Sequence, residues 1–331
     1  MEEQRTLALS DIRSAHSRIS SLVKKTPLIK TAVMSEQLGI NTYLKLETLN
    51  EVGSFKIRGA ANKMLQLTDK ERNCGVTTYS TGNHGLAVAF IARQLGIKAV
   101  ICISSRVPKS KLAALKQLDA TIEIVGEGQD AAAERSHQLQ KIEGFTIIPP
   151  FDDIDIIAGQ GTIALELLED LPNLEEVVIP LSGGGLLSGL AYTLKQLKPT
   201  VNITGVSIEG ASAMNESLLA GQPVEIPEKE TLADSLLGGI NLNNRHTFSI
   251  VRTYMDKLVL LSEEEVVHGM EYLLNNERIV AEGAGAAGIA ALLAGKREVT
   301  PQHPQSTAAV IVSGSNIDWL QFCQAWEVVY K

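Results

Sequence analysis

The chain has 331 residues, 44% of them hydrophobic and 21% charged, with a formal net charge of −8. That length supports a large core and two domains, and the composition is ordinary for a globular protein in water. The acidic balance, without a dense basic run, argues against a nucleic-acid partner. The longest apolar runs, Ala99–Ile103 and Ala284–Ala294, are too short or too glycine-rich to span a membrane.

The N-terminal Met1-Glu2-Glu3-Gln4-Arg5 lacks the basic and apolar regions of a signal peptide. Cys74, Cys102 and Cys323 are odd in number and far apart, so reduced thiols in a cytoplasmic protein are expected.

Gly53-Ser54-Phe55-Lys56-Ile57-Arg58-Gly59 opens a helical pattern through Ala60, Ala61 and Met64. Strand-like and helix-like segments then alternate. Gly75–Tyr79 reads as a strand, Asn83–Leu95 as a helix, Lys98–Ile103 as a strand and Lys109–Leu118 as a helix. Thr121–Val125 (strand), Asp130–Ile142 (helix) and Phe145–Ile148 (strand) follow, and Pro149-Pro150 ends the unit. The alternation resumes with helix Ile156–Leu168, strand Glu176–Ile179, helix Leu186–Gln196 and strand Ile203–Ser207. Residues 221–250 read as irregular. Helices Glu263–Leu274 and Gly283–Ala294, strand Ala308–Val312 and a last helix from about Asn316 complete the chain. Such alternation predicts an α/β fold with parallel sheets covered by helices on both faces.

Three segments carry chemistry. A lysine held between an aromatic ring and small residues loses its proton easily, and a neutral amine forms Schiff bases with aldehydes. Lys56 has that setting. Ser80-Thr81-Gly82-Asn83-His84-Gly85 follows a strand and opens a helix, where backbone and hydroxyl donors suit a carboxylate. Ser182-Gly183-Gly184-Gly185-Leu186 joins another strand to another helix, an arrangement that lets amides approach a phosphate. Each has a plainer reading: a solvated lysine, a structural histidine at a helix start, a tight turn. The residues alone also leave open a non-catalytic phosphate-binding α/β protein, which would explain the glycine loop but not Lys56, Asn83 and Ser313 together.

G-S-F-K-I-R-G, S-T-G-N-H-G, P-F-D-D-x-x-I-I-A-G-Q-G-T, S-G-G-G-L and the late S-G-S-N stand in the order and spacing of one family. The chain resembles the fold-type II pyridoxal-phosphate enzymes of the serine/threonine dehydratase and serine racemase group. The run Ala233–Ile240 and the S-T-G-N-H-G variant look most like the dehydratases of hydroxyectoine breakdown.

The resemblance implies two α/β domains of the tryptophan synthase β-subunit-like type, with the cofactor between them. Residues 1–73 and 151–331 would form the large domain, and residues 74–150 a small mobile one. The cofactor would be pyridoxal 5′-phosphate, carried by Lys56, which then removes the substrate Cα proton. Phe55 would lie against the cofactor ring, with Asn83 on its 3-hydroxyl and Ser313 on the pyridine nitrogen. Gly183, Gly184, Gly185 and Leu186 would hold the phosphate, and Glu282 would stand near the cofactor. Ser80, Thr81, Gly82, Asn83 and His84 would bind the substrate carboxylate. A neutral hydroxyl from Ser313 makes the ring a weaker electron sink, which favours elimination.

Two departures qualify the resemblance. Racemase relatives carry serine where Thr81 stands, as acid/base on the face opposite the lysine, and the extra methyl restricts that hydroxyl. Some relatives bind a divalent cation through positions matching Glu209, Ala213 and Asn215. The last of these should be aspartate, so no metal is expected. The implied reaction is loss of water from a β-hydroxy amino acid such as threonine, serine or a hydroxyectoine-derived diamino acid. The expected assembly is a homodimer or homotetramer.

Overall fold

A computed structural model describes residues 5–80, 82–105, 109–126, 129–227, 229, 231–296, 306–318, 320, 322–323 and 326–327. Its strands are β1 (Leu28–Lys30), β2 (Asn41–Leu46), β3 (Val76–Tyr79), β4 (Ala99–Ile103) and β5 (Thr121–Ile124). Then come β6 (Thr146–Ile147), β7 (Glu176–Pro180), β8 (Asn202–Ile208), β9 (Lys257–Leu261) and β10 (Thr307–Val312).

Among the described residues they form two sheets. The larger has the order β1-β2-β10-β7-β8-β9 and the smaller β5-β4-β3-β6. Every pairing is parallel except β1 with β2. The larger sheet therefore joins strands from both ends of the sequence, and the smaller draws only on residues 76–147.

Parallel strands covered on both faces are apolar on both sides, and β4, β7 and β10 are buried throughout. Alternate residues then serve different cores. Val310 and Val312 of β10 pack into one with Leu44, Leu46 and the Gly283–Leu293 helix. Ala309 and Ile311 pack into the other with Leu186, Leu190 and Leu194.

The helices expected between 75 and 148 form within two residues of their predicted bounds. The expected irregular stretch 221–250 is corrected at its end, where a helix runs over Thr247–Tyr254. The last helix does not begin at Asn316. Residues 315–318 are non-helical, because the Asn316 side chain is tied to Val52 and Asn83. The rest of that helix lies partly outside the described residues.

Two helix crossings set the frame of the site. A Cβ on Gly159 would stand 2.6 Å from Arg58 O and from Gly59 Cα, and one on Gly189 would stand 2.5 Å from Gly161 N. So the Lys56–Met64 helix touches the Ile154–Asp170 helix backbone to backbone, and that helix touches Gly185–Leu197 in the same way. The I-I-A-G-Q-G-T motif is the middle of this stack.

Candidate active site

Lys56 is the first residue of its helix, and the residues before it are stitched to the turn after β10. Ser54 forms a bridge with Gly314. The Phe55 amide donates to Ser313 O at 3.1 Å, and the Ser315 amide to Gly53 O at 2.9 Å. The two lone-looking motifs G-S-F-K and S-G-S-N are thus one structural unit.

The Lys56 ammonium nitrogen lies 2.7 Å from Pro150 O and 5.2 Å from the centroid of the Phe55 ring. Burial lowers its pKa to about 8, against the opposing pull of the Glu282 carboxylate.

Glu282 precedes the Gly283–Leu293 helix and is buried. Its Oε1 accepts a 2.6 Å bond from Asn83 Nδ2, and its own amide donates to Gly314 O at 3.1 Å. Asn83 opens the Asn83–Leu95 helix, and its Oδ1 accepts from Asn316 Nδ2 at 2.6 Å. Its second Nδ2 contact, to Ser235 Oγ, is long at 3.4 Å. Ser313 Oγ has a long contact of 3.4 Å to Ala284 O.

Next to Asn83, the His84 ring is buried, with Nε2 at 2.9 Å from Ile148 O. Burial and the neighbouring Lys56 charge push its pKa down to about 3, so the ring is neutral. A neutral ring donates from Nε2 to that carbonyl and leaves Nδ1 a buried acceptor without a protein partner. Ser80 Oγ accepts from the Gly82 amide at 3.4 Å, and Gly82 fronts open space. Thr81 lies outside the described residues.

In the glycine loop, Gly184 has φ +88°, a left-handed conformation that disfavours any side chain. The helix Gly185–Leu197 starts immediately after it, with Leu186 in its first turn. The amides of a first helical turn have no intrahelical partner, and they attract anions.

Sequence reasoning quoted P-F-D-D without giving it a task. The structure gives it several. Pro150 O meets Lys56, and Phe151 lies against Gly183 with its ring and against Gly185 with its backbone and Cβ, so the amine and the loop are neighbours through two adjacent residues. Asp153 caps the Ile154–Asp170 helix and pairs with Lys63 at 2.9 Å. Asn316, bonded to Val52 and Asn83, was also missed.

Beneath Lys56 lies a buried ionic cluster. Arg58 forks onto Glu47 (2.8 and 2.9 Å) and onto Glu166 (2.6 and 3.0 Å), while Lys45 donates to Glu166 and to Thr26 O. All four charged residues are at most 3% exposed. Two cations balance two anions, and the cluster pins the Lys56 helix to β2, which runs beside β10.

The positions matched to a cation site are otherwise engaged. Glu209 Oε1 is 3.5 Å from the Lys296 ammonium, Ala213 O accepts from Ser217 Oγ at 2.7 Å, and Asn215 Nδ2 donates to Glu216 at 2.9 Å. A hard dication needs several anionic oxygens, and this set offers one carboxylate already facing a lysine.

The residues present do fit pyridoxal phosphate. A partly neutral amine, an anion-attracting helix start behind a left-handed glycine, and the buried, unpartnered Ser54 Oγ and His84 Nδ1 belong to one neighbourhood.

Comparison with known proteins agrees. The family described as pyridoxal-phosphate dependent enzyme matches residues 19–314. A Sinorhizobium fredii protein provisionally named a threonine dehydratase is 43% identical over 318 residues, covering 96% of this chain and 95% of its own. The L-threonine ammonia-lyase of Thermotoga maritima is 40% identical over 312 residues, 94% of this chain and 76% of its own. The maize serine racemase structure superposes with a TM-score of 0.90 at 32% identity and covers 98% of both chains. Fold, lysine setting and relatives lead to one conclusion: this chain belongs to the pyridoxal-phosphate dependent enzymes of fold-type II, among their dehydratase, ammonia-lyase and racemase members.

Proposed function

We propose that this protein removes water from a β-hydroxy amino acid, with Lys56 as the base, and releases a 2-oxo acid and ammonia. The observation that carries the reading is the Lys56 amine, whose pKa of about 8 keeps it part neutral near physiological pH. When bound, pyridoxal 5′-phosphate supplies an electron sink that acidifies the Cα–H of an amino acid held through its nitrogen. Lys56 Nζ takes that proton. Pro150 O, 2.7 Å away, and the Glu282 carboxylate stabilise the resulting ammonium. The Cβ–O bond breaks with its electron pair on oxygen, which takes up a proton and leaves as water. The enamine that remains hydrolyses to the oxo acid and ammonia.

Gly183, Gly184, Gly185 and Leu186 would bind the phosphate through backbone amides. Phe55 would face the ring, and Ser313 would offer its hydroxyl to the pyridine nitrogen. Asn83 would turn its weaker N–H, now 3.4 Å from Ser235 Oγ, to the 3-hydroxyl. Ser80, Thr81, Gly82 and Asn83 would receive the substrate carboxylate, and His84 would join them through its backbone amide only, because its ring Nε2 is taken by Ile148 O and its Nδ1 is an acceptor. Residues 1–73 with 151–331 would move as one domain and 74–150 as the other, in keeping with the two sheets.

The Thermotoga and Sinorhizobium relatives favour threonine as substrate, serine shares the same β-hydroxy-α-amino unit, and the Ala233–Ile240 run favours a hydroxy-diamino acid from hydroxyectoine. We also propose a cytoplasmic homodimer or homotetramer. A second reading, amino-acid racemase, is favoured by the likeness to the maize enzyme. It requires a proton donor opposite Lys56, and Thr81 is the candidate.

Lys56→Ala tests the main reading. It should abolish turnover and leave the fold intact, read on the cofactor-free proteins, because a small side chain replaces an amine outside the ionic cluster. Oxo-acid release within about tenfold of wild type, a barrier change of only ~1.4 kcal/mol, refutes the assignment.

A further inference from the structure

Asp152 has no part in the reaction proposed above, yet it is placed between the two walls of the glycine loop. One wall is Phe151. A Cβ on Gly183 would stand 2.5 Å from its ring, and one on Gly185 would stand 3.0 Å from its Cα and Cβ. The other wall is the start of the Thr247–Tyr254 helix. A Cβ on Gly184 would stand 3.0 Å from Thr247 Cβ and 3.2 Å from Val251 Cγ2. The loop is therefore gripped from both sides, by segments about 95 residues apart in sequence.

The Asp152 carboxylate joins the two walls. Its Oδ2 accepts from the Arg245 amide at 2.6 Å, and its Oδ1 accepts from the His246 and Thr247 amides, both at 2.9 Å. Charge-assisted bonds of this kind are short and strong. Capping alone does not account for them. The same helix start already has a local acceptor, Asn244 Oδ1, on the Phe248 amide at 2.9 Å. The carboxylate from residue 152 adds a fixed distance between the walls.

We propose that Asp152 is a positioning residue for the phosphate loop: it ties Phe151 to residues 245–247 and so holds Gly183–Gly185 in the shape that receives a phosphate. The inference rests on the glycine loop being the phosphate site. Its consequence is selective. Loosening the brace should weaken recognition of the phosphate far more than it disturbs the amine, because the backbone leading into Lys56 is held by Gly314 and Ser313 and only the Pro150 O contact is shared with the braced segment.

The test uses the purified chain stripped of cofactor and titrated with pyridoxal 5′-phosphate and with pyridoxal, which has the same aldehyde and no phosphate. Wild type should prefer the phosphorylated form strongly. Asp152→Ala should weaken pyridoxal 5′-phosphate binding about tenfold or more and leave pyridoxal within about twofold. Asp152→Asn keeps one acceptor oxygen and the side-chain shape, so it should fall between the two and remain folded if alanine does not.

Unchanged phosphate preference in both variants overturns the role of Asp152 and leaves the proposed function standing. Equal weakening toward both ligands also overturns it, since the residue then acts on the whole fold. A wild type with no preference for the phosphorylated ligand refutes the underlying phosphate site instead, before any variant is made.

Discussion

Lys56 should titrate near pH 8, and neutralising Glu282 should move that midpoint further down. Burial lowers the pKa from 10.5 to about 8, while the Glu282 carboxylate pulls it up. At pH 7.5 an ordinary lysine is neutral in roughly one molecule in a thousand, and an amine of pKa about 8 in roughly a quarter, a gain of about two hundredfold. Glu282→Gln removes the charge that favours the ammonium and leaves the burial, so the midpoint falls below that of wild type. The assay is competitive acylation of cofactor-free protein across pH 6–11, with the Lys56 peptide quantified against free amine by mass spectrometry. A wild-type midpoint at or above about 10 refutes the burial argument. A rise on Glu282→Gln refutes the electrostatic one.

Arg58→Met should destabilise the fold by about 3–5 kcal/mol, because it leaves Glu47 and Glu166 with only Lys45 as a counter-charge. That corresponds to a melting temperature lower by about 10 °C, and a loss under about 2 °C contradicts it. The gap should narrow in acid. In wild type the Arg58 guanidinium holds the Glu47 pKa down, so its contribution is present above the ordinary carboxylate range and lost as pH falls. In the variant a carboxyl takes up a proton on folding, so stability rises as pH falls. Thr81 separates the two reaction types. Thr81→Ala should retain elimination, and Thr81→Ser should raise any racemisation by freeing the hydroxyl to turn. Measuring oxo-acid release beside enantiomer formation on one L-substrate in deuterated solvent decides it. Wild-type racemisation faster than elimination, lost alone in Thr81→Ala, would make the protein a racemase.

The sequence made the β-α alternation from 75 to 208 legible because those strands are short runs rich in β-branched residues set between helix starts. It hid β1, which is only three residues long, and β2, whose Asn-Thr-Tyr-Leu-Lys-Leu reads as half solvent-facing. Lys45 looks like a solvent-facing residue, but it is fully buried and neutralised by Glu166, 121 positions away. Thr247–Tyr254 was hidden for a similar reason: Thr-Phe-Ser-Ile-Val-Arg-Thr-Tyr is a poor helix former, and part of its N-terminal capping comes from Asp152. Within the candidate site, Lys56 and the glycine loop stood out by their local setting, whereas Asn83, Glu282 and Ser313 were singled out only through the family resemblance. Phe151 and Asn316 were missed, since a ring under a turn and an amide between two loops have value only through partners distant in sequence.

The strand order has a consequence for synthesis. β10 lies between β2 and β7, so the middle of the larger sheet is its last strand to leave the ribosome. The smaller sheet is contiguous in sequence and has nothing to wait for. Through most of translation, β2 and β7 each keep an edge open for a partner not yet made, a state prone to mispairing with other chains. The bridge from Ser54 to Gly314 forms only after that gap is filled. Nascent chains arrested before residue 307 therefore lack the Ser313–Gly314 side of the pocket, and cofactor capture should report that the sheet has closed.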